Sequence, residues 1–423
     1  MDTMNLANWG NFPTARARIY HPENLEDLTT ILQTEPTLLA RGNGRCYGDA
    51  ALADTLVSTL ALNRILSFDQ QAGHIRCEAG VLLQDLIPII VPRGWFFPVT
   101  PGVKSITVGG AIASDVHGKN HPRRGCFSQW LLSFDLLQSD GSLITCSKNK
   151  HAHLFWLTCG GMGLTGIIVA ATFQLMPLQT TTMWQHNRRT RNIDELLDML
   201  RQTANWEYAA AWLDFTATGV DRGRGALFLA NHHPEGNLEW KSRTTTNISF
   251  FLPSWMLNPY SIRMHNAVFY HAAAKPDQAI PMDTYFYPLD RIRHWNRLYG
   301  SRGFVQYQCC VPDAAAAKAF KQILDTLQNG KDLPFLSVLK RHGSRPSEAV
   351  NSFPEAGFSL ALDFPVSKSV PGLVRQLDRI VWEAEGKIYL TKDALSGPPM
   401  SRLHPDTFGF PGFDSHLKKR IMP

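Results

Sequence analysis

The sequence predicts an α+β chain of two domains, on three observations. Across residues 24–175 short apolar runs and short helical periods follow one another irregularly, which argues against a repeating βαβ order. From residue 304 the order becomes strand, helix, strand, strand, helix, strand, the split-βαβ pattern of an antiparallel sheet with two helices on one face. Three separated glycine-rich stretches, 41–49, 101–126 and 160–166, offer flexible backbone that can approach one large polar ligand closely. A length of 423 residues with 44% apolar content is enough for two or three domains with a substantial core.

In chain order, 24–34 reads as a helix and 37–40 as a buried strand that runs into RGNGRCYGD. The three glycines there, Gly42, Gly44 and Gly48, lack the G-x-G-x-x-G spacing of a dinucleotide fold. Arg41 and Arg45 favour a pyrophosphate cradle over a plain turn. Strands follow at 56–60 and 74–79, then a helix over 81–91 interrupted by Pro88. The stretch 101–126 carries two histidines, one acid and four basic residues, a composition poor at filling a core and suited to one wall of a cofactor site. Asp140-Gly141 between 133–138 and 143–146 signals a hairpin. A helix at 151–158, a glycine turn and a strand at 167–175 complete this half.

The next segment opens with a helix over 193–202, apolar at Ile193, Leu196, Leu197 and Leu200, and strands at 209–215 and 226–230. Residues 232–281 lose periodicity, too long a span for a mere connector. Within it ISFFLPSWMLNPY, 248–260, reads either as a tucked apolar loop or as a lid meeting a lipid tail or membrane interface. Strands at 304–311, 336–340, 358–364 and 387–390 and helices at 313–327 and 371–384 follow.

The net charge of +6, pI near 8.9, favours an anionic ligand or membrane surface, but the basic residues are scattered and nucleic acid is excluded as a partner. The seven cysteines lack C-x-x-C spacing and sit mostly in apolar segments, so neither a disulfide framework nor a metal site is expected. The N-terminus has no signal pattern and no run of about 18 apolar residues occurs, which leads to the expectation of a cytoplasmic protein able to touch a membrane.

RGNGRCYGDAAL, TPGVKSITVGGAIASDVHGKNH and LFWLTCGGMGLTGII resemble the PCMH-type FAD-binding half of the vanillyl-alcohol-oxidase superfamily, and within it the flavin subunits of decaprenylphosphoryl-ribose 2-epimerases. The likeness continues in YPLDRIRHWNRLYG, GFVQYQCCVP, LALDFP and IYLTKDA, and so spans most of the chain. It implies a two-domain fold: an FAD-binding domain over 1–176, a substrate (cap) domain on an antiparallel sheet over 177–386, and a return to the first domain over 387–423.

The resemblance assigns the FAD contacts to Arg41, Gly42, Asn43, Gly44, Arg45, Cys46 and Tyr47, to Gly102, Thr107, Gly109, Gly110, Ala113, His117 and Gly118, and to Gly166, Ile167 and Tyr389. Relatives that tether the flavin use a histidine where this chain has Arg45, so the FAD is expected to be non-covalent. Lys392 matches the lysine at the flavin–substrate junction, although a lysine beside Asp393 would by itself read as a surface ion pair. A buried cation suits a developing alkoxide. His117, which alone would read as a structural hydrogen-bonder, stands among glycines that let its ring reach a ligand. Lys119 and His121 share that loop with weaker grounds for pointing inward.

Lys340, Gln308, Tyr287 and, less directly, Trp9 match the substrate pocket, where Lys340 would face a phosphate. Ala361 replaces the pocket cysteine of the family before Asp-Phe-Pro. The implied reaction is oxidation of the 2-hydroxyl of a polyprenylphosphoryl ribose to a keto sugar that a separate NAD(P)H-dependent short-chain reductase consumes. The alternatives are oxidation of a soluble alditol, sugar or aldonolactone, and a flavin-free scaffold for the reductase.

Overall fold

In the computed structural model, which describes residues 1–242, 246–344, 347–398 and 403–422, the chain starts with two strands that apolar periodicity does not flag. Asp2–Ala7 pairs antiparallel with Thr14–Tyr20, whose small Ala15, Ala17 and Ile19 alternate inward. Thr14–Tyr20 lies parallel to Thr55–Ser58, and that strand parallel to Leu39–Arg41, so the sheet aims the loop after Arg41 at the domain centre. The expected helix forms as Leu25–Thr34, with the Asn24 side chain accepting from the Asp27 N–H.

A second, antiparallel sheet runs Ile65–Asp69, His74–Glu78, Ile167–Gln174, Leu131–Leu137, Leu143–Ser147. Its last pair is the hairpin expected at Asp140-Gly141. Stretch 101–126 corrects the expectation of a core-poor wall. Thr107 caps a short helix, Val108–Ala113, and Val108, Ala111, Ile112 and Val116 are buried with Leu86, Phe96 and Phe134. Its basic tail crosses to the other domain: Arg124 Nε donates to Glu207 at 2.7 Å, and the Lys119 ammonium to the Tyr285 carbonyl.

The cap is one eight-stranded sheet in the order Gln278–Pro281, Thr182–Thr190, Gly225–His232, Tyr208–Leu213, Leu336–His342, Gly357–Pro365, Phe304–Pro312, Lys387–Ile388. It consists of two split-βαβ units of identical chain order, joined edge to edge where Ala211 meets Leu339. The second unit follows the expected elements closely. The first includes a helix, Pro259–Ala272, inside the span whose sequence lacks periodicity. Asn258 and Ser261 cap it reciprocally, with Pro259 in the first turn.

Helices Ile193–Arg201, Asp313–Asn329 and Val370–Glu383 share one face of the sheet with Leu213, Leu227, Leu229, Val305, Tyr307, Leu360 and Leu362. The alternate residues of the second unit, Gln306, Gln308, Lys340, Ser359 and Ala361, face a cavity against the glycine-rich loops. Beyond Ile388 the chain turns back: Leu390, Leu403, Leu417 and Ile421 pack with Ile19, Leu39 and Leu56. Among the described residues no helix is long and apolar enough to cross a membrane.

Candidate active site

The cavity between the two halves is lined from the first by Gly42, Asn43, Gly44, Arg45, Cys46 and Tyr47, then Gly102, Thr107, Gly109, Gly110, Ala113 and His117, then Gly166. The cap contributes Gln308, Lys340 and Ala361, and the returning chain Tyr389 and Lys392. Four expected residues stand behind this wall instead. Arg41 spends its guanidinium on the Ala51 and Ala7 carbonyls and on Asn8, so it supports the loop rather than facing a ligand. Gly118 packs on Thr100, Ile167 is in the core, and the Tyr287 hydroxyl pairs with Thr100 at 2.7 Å. Trp9 also lies outside, with the Arg45 guanidinium 4.0 Å above its ring.

Residues not anticipated also line the cavity, among them Ser114, Met162, Leu289, Gln306, Leu336, Val338, Ser359 and Thr391. Strand alternation about Gln308, Lys340 and Ala361 is the available signal for four of them, Gln306, Leu336, Val338 and Ser359.

The loop after Leu39–Arg41 has the features of a phosphate cradle. The N–H groups of Asn43, Gly44 and Arg45 donate to no acceptor among the described residues, and Gly44 is left-handed at φ +58. The buried Arg45 Nε likewise has no partner. Gly102 opens on free space, so a side chain there would intrude. Gly48 is required for another reason: a Cβ would lie 1.6 Å from the Asp393 carbonyl, at the point where the returning chain docks. Arg420 holds that junction by pairing with Asp49 at 2.7 Å and Asp393 at 2.8 Å. These groups fit the diphosphate and flat ring system of a flavin adenine dinucleotide.

Where the returning chain meets the cavity, Lys392 Nζ lies 3.4 Å from the centre of the Tyr47 ring. Burial lowers its pKa to about 7, against the opposing pull of Asp363. Asp363 is itself pushed up to about 7 by burial, and accepts from Gln306 and, at 3.3 Å, from the Tyr299 hydroxyl. His117 is held well below its ordinary value, by burial first and then by Lys340, His121 and Lys392. Gln308 Nε2 lies 3.4 Å from His117 Nε2, and His117 Nδ1 has no partner among the described residues. Tyr389 donates to the Ser114 carbonyl at 3.0 Å and flanks the same imidazole. Lys340 is lowered to about 8 by burial and has no hydrogen bond or ion pair among the described residues. Lys119 and His121 lie behind the wall, with His121 4.7 Å from the His342 ring.

A neutral imidazole can take a hydroxyl proton, and an adjacent buried ammonium can stabilise the alkoxide left behind. With a cradle for a dinucleotide beside them, the fold and site define a flavin-dependent oxidoreductase. Residues 17–147 match the model of the FAD binding domain family. Across 99% of this chain and 94% of the relative, the sequence is 33% identical to decaprenylphosphoryl-β-D-ribose oxidase of Mycolicibacterium smegmatis. It is 30% identical over 76% of its length to an uncharacterized protein of Streptomyces coelicolor, covering 91% of that protein. It is 26% identical to L-gulonolactone oxidase of Mus musculus over 41% of each chain. The chain belongs to the decaprenylphosphoryl-β-D-ribose oxidase family and is an FAD-dependent oxidoreductase. A flavin held by these loops would supply the acceptor for a hydride from the substrate carbon.

Proposed function

We propose that this oxidoreductase oxidises the 2-hydroxyl of a polyprenylphosphoryl-β-D-ribose to the 2-keto sugar. His117, neutral, takes the hydroxyl proton, Lys392 stabilises the alkoxide, and Gln308, 3.4 Å from Nε2, orients the imidazole. Gln306 and Tyr299 fix Asp363, whose carboxylate opposes the loss of the Lys392 proton that burial favours. The observation that carries the substrate class is Lys340: a buried ammonium without a partner, on the cavity wall, suits the phosphate of a lipid-linked sugar. Arg45 and Cys46 support a non-covalent flavin, since a guanidinium cannot form the tether and burial raises the Cys46 thiol above its usual pKa. The keto product requires a separate NAD(P)H-dependent reductase to invert the carbon. The protein works in the cytoplasm at the inner membrane face, with 248–260 in peripheral contact.

Anaerobic mixing of the holoenzyme with polyprenylphosphoryl ribose should bleach the visible flavin absorbance and yield the 2-keto sugar. Bleaching by a soluble alditol or aldonolactone, with none by the lipid-linked ribose, overturns the reading. Acid precipitation should leave all the flavin in the supernatant.

A further inference from the structure

Helix Pro259–Ala272 is apolar on two opposite sides. Ile262 and Phe269 pack inward, with the Phe269 ring 4.8 Å from that of Trp212. Tyr260, Met264 and Val268 fall one turn apart on the opposite side and are 81%, 69% and 64% exposed. Phe250 and Trp255, in the segment leading to the helix, are exposed to 67% and 74%. A solvent-facing aliphatic and aromatic stripe continuous with exposed rings is not how a water-facing helix is built.

The charges along this segment are one-sided. Residues 246–276 include Arg263, His265, His271 and Lys275 and no Asp or Glu. Arg263 and Lys275 are exposed beside the stripe, and Arg293 emerges next to the two-residue strand Thr246–Asn247. The segment leading to the helix is tied to the cavity wall through one cluster: Leu257 and Leu289 both pack against the group Tyr47, Trp295, Tyr299 and Phe304, and Leu289 lines the cavity.

We propose that Pro259–Ala272, together with 248–258, docks in the plane of an anionic lipid bilayer. Tyr260, Met264 and Val268 would enter the acyl boundary, Trp255 would sit at the headgroup level, and Arg263 and Lys275 would meet lipid phosphates. The cap sheet then stands over the membrane, with the wall formed by Leu257 and Leu289 between the lipid surface and the cavity. The proposal deepens the reading of a membrane-borne substrate by naming the surface that meets the membrane. It is tested without turnover, so that its failure and the failure of the substrate assignment are distinguishable.

The full-length holoenzyme is sedimented with sucrose-loaded vesicles of phosphatidylcholine alone or mixed with phosphatidylglycerol. Binding should require phosphatidylglycerol, weaken with salt, and fall at least about tenfold in Tyr260→Ser/Met264→Ser/Val268→Ser and in Arg263→Glu/Lys275→Glu. Flavin content in both variants should match the parent. A control that removes exposed apolar groups elsewhere, Leu66→Ser/Val220→Ser, should bind as the parent does. Equal sedimentation of stripe variant and parent overturns the proposal, as does a parent that stays in the supernatant with both vesicles. A parent that is dimeric by light scattering while the stripe variant is monomeric overturns it in favour of a second copy of the chain.

Discussion

In the unit of the cap sheet that ends at Ile388, both helices lie on the side away from the cavity, and the opposite side is left to Gln306, Gln308, Lys340, Ser359 and Ala361. In the unit that ends at Pro281, one helix of the same chain order crosses to the cavity side and covers Trp212, Ala226 and Phe228. One topology thus provides a polar roof in one half and an apolar platform in the other. The difference lies in which alternate strand residues are polar. If chemistry belongs to the second unit and its continuation, and surface contact to the first, substitutions should separate the two.

The largest effect is expected just past the last strand of the second unit. Lys392→Met should slow anaerobic flavin reduction by about 10²–10³-fold while the purified protein keeps its FAD. The pH profile of kcat/KM carries the sign of the role. With a free-enzyme pKa of about 7, the ammonium is present below that value and lost above it, so kcat/KM should fall as pH rises through about 7. His117, held far below its ordinary pKa, stays neutral throughout and adds no acidic limb near neutrality. A rate that instead rises through that range would make neutral Lys392 the base and remove that task from His117.

Next in size is the contrast between helices. Phe320 is fully buried under Asp313–Asn329, and Phe320→Ala should cost about 3–5 kcal/mol in urea unfolding. Phe269, partly buried on the crossed helix, should cost about 1–2 kcal/mol as Phe269→Ala. Similar costs for the two would mean that the crossed helix is as much a part of the core as the others. Lys340→Met should lower kcat/KM about 10–100-fold on a phosphate-bearing sugar and leave reduction by a phosphate-free alcohol nearly unchanged. Equal losses on both would remove Lys340 from phosphate recognition.

The same contrast explains what the sequence made legible. The second unit has apolar strands, an alanine-rich helix and stops at Gly330 and Gly386, all of which read directly. Thr182–Thr190, TMWQHNRRT, is a true strand of the first unit but reads as polar, because one edge of the sheet is only half covered there. Pro259–Ala272 escaped because apolar groups on two sides cancel the one-sided periodicity by which a helix is found. In the site, motif likeness brought most of the glycine loops to the cavity. It carries no information on side-chain direction, which is why Arg41 and Tyr287 were expected to face a ligand and instead bond to the protein behind it. Asp363 was within reach of the strand pattern, two residues beyond Ala361 on the same face.

The smallest effect tests the roof itself. Ala361 is on the cavity side of Gly357–Pro365, between Ser359 and Asp363, whereas Leu360 and Leu362 face the helices. Ala361→Cys adds one sulfur against open cavity rather than against packed neighbours, so catalysis should stay within about threefold. The new thiol should react with a maleimide in the resting enzyme and be protected by substrate. Ala226→Cys, at the matching face of the first unit, should stay unlabelled because Trp212 and the crossed helix cover it. A slip of one residue in strand register would reverse the first result by turning position 361 into the helix-covered core, since side chains alternate faces along a strand. Mass spectrometry of the two labelled variants therefore distinguishes an open roof from a covered platform within one sheet.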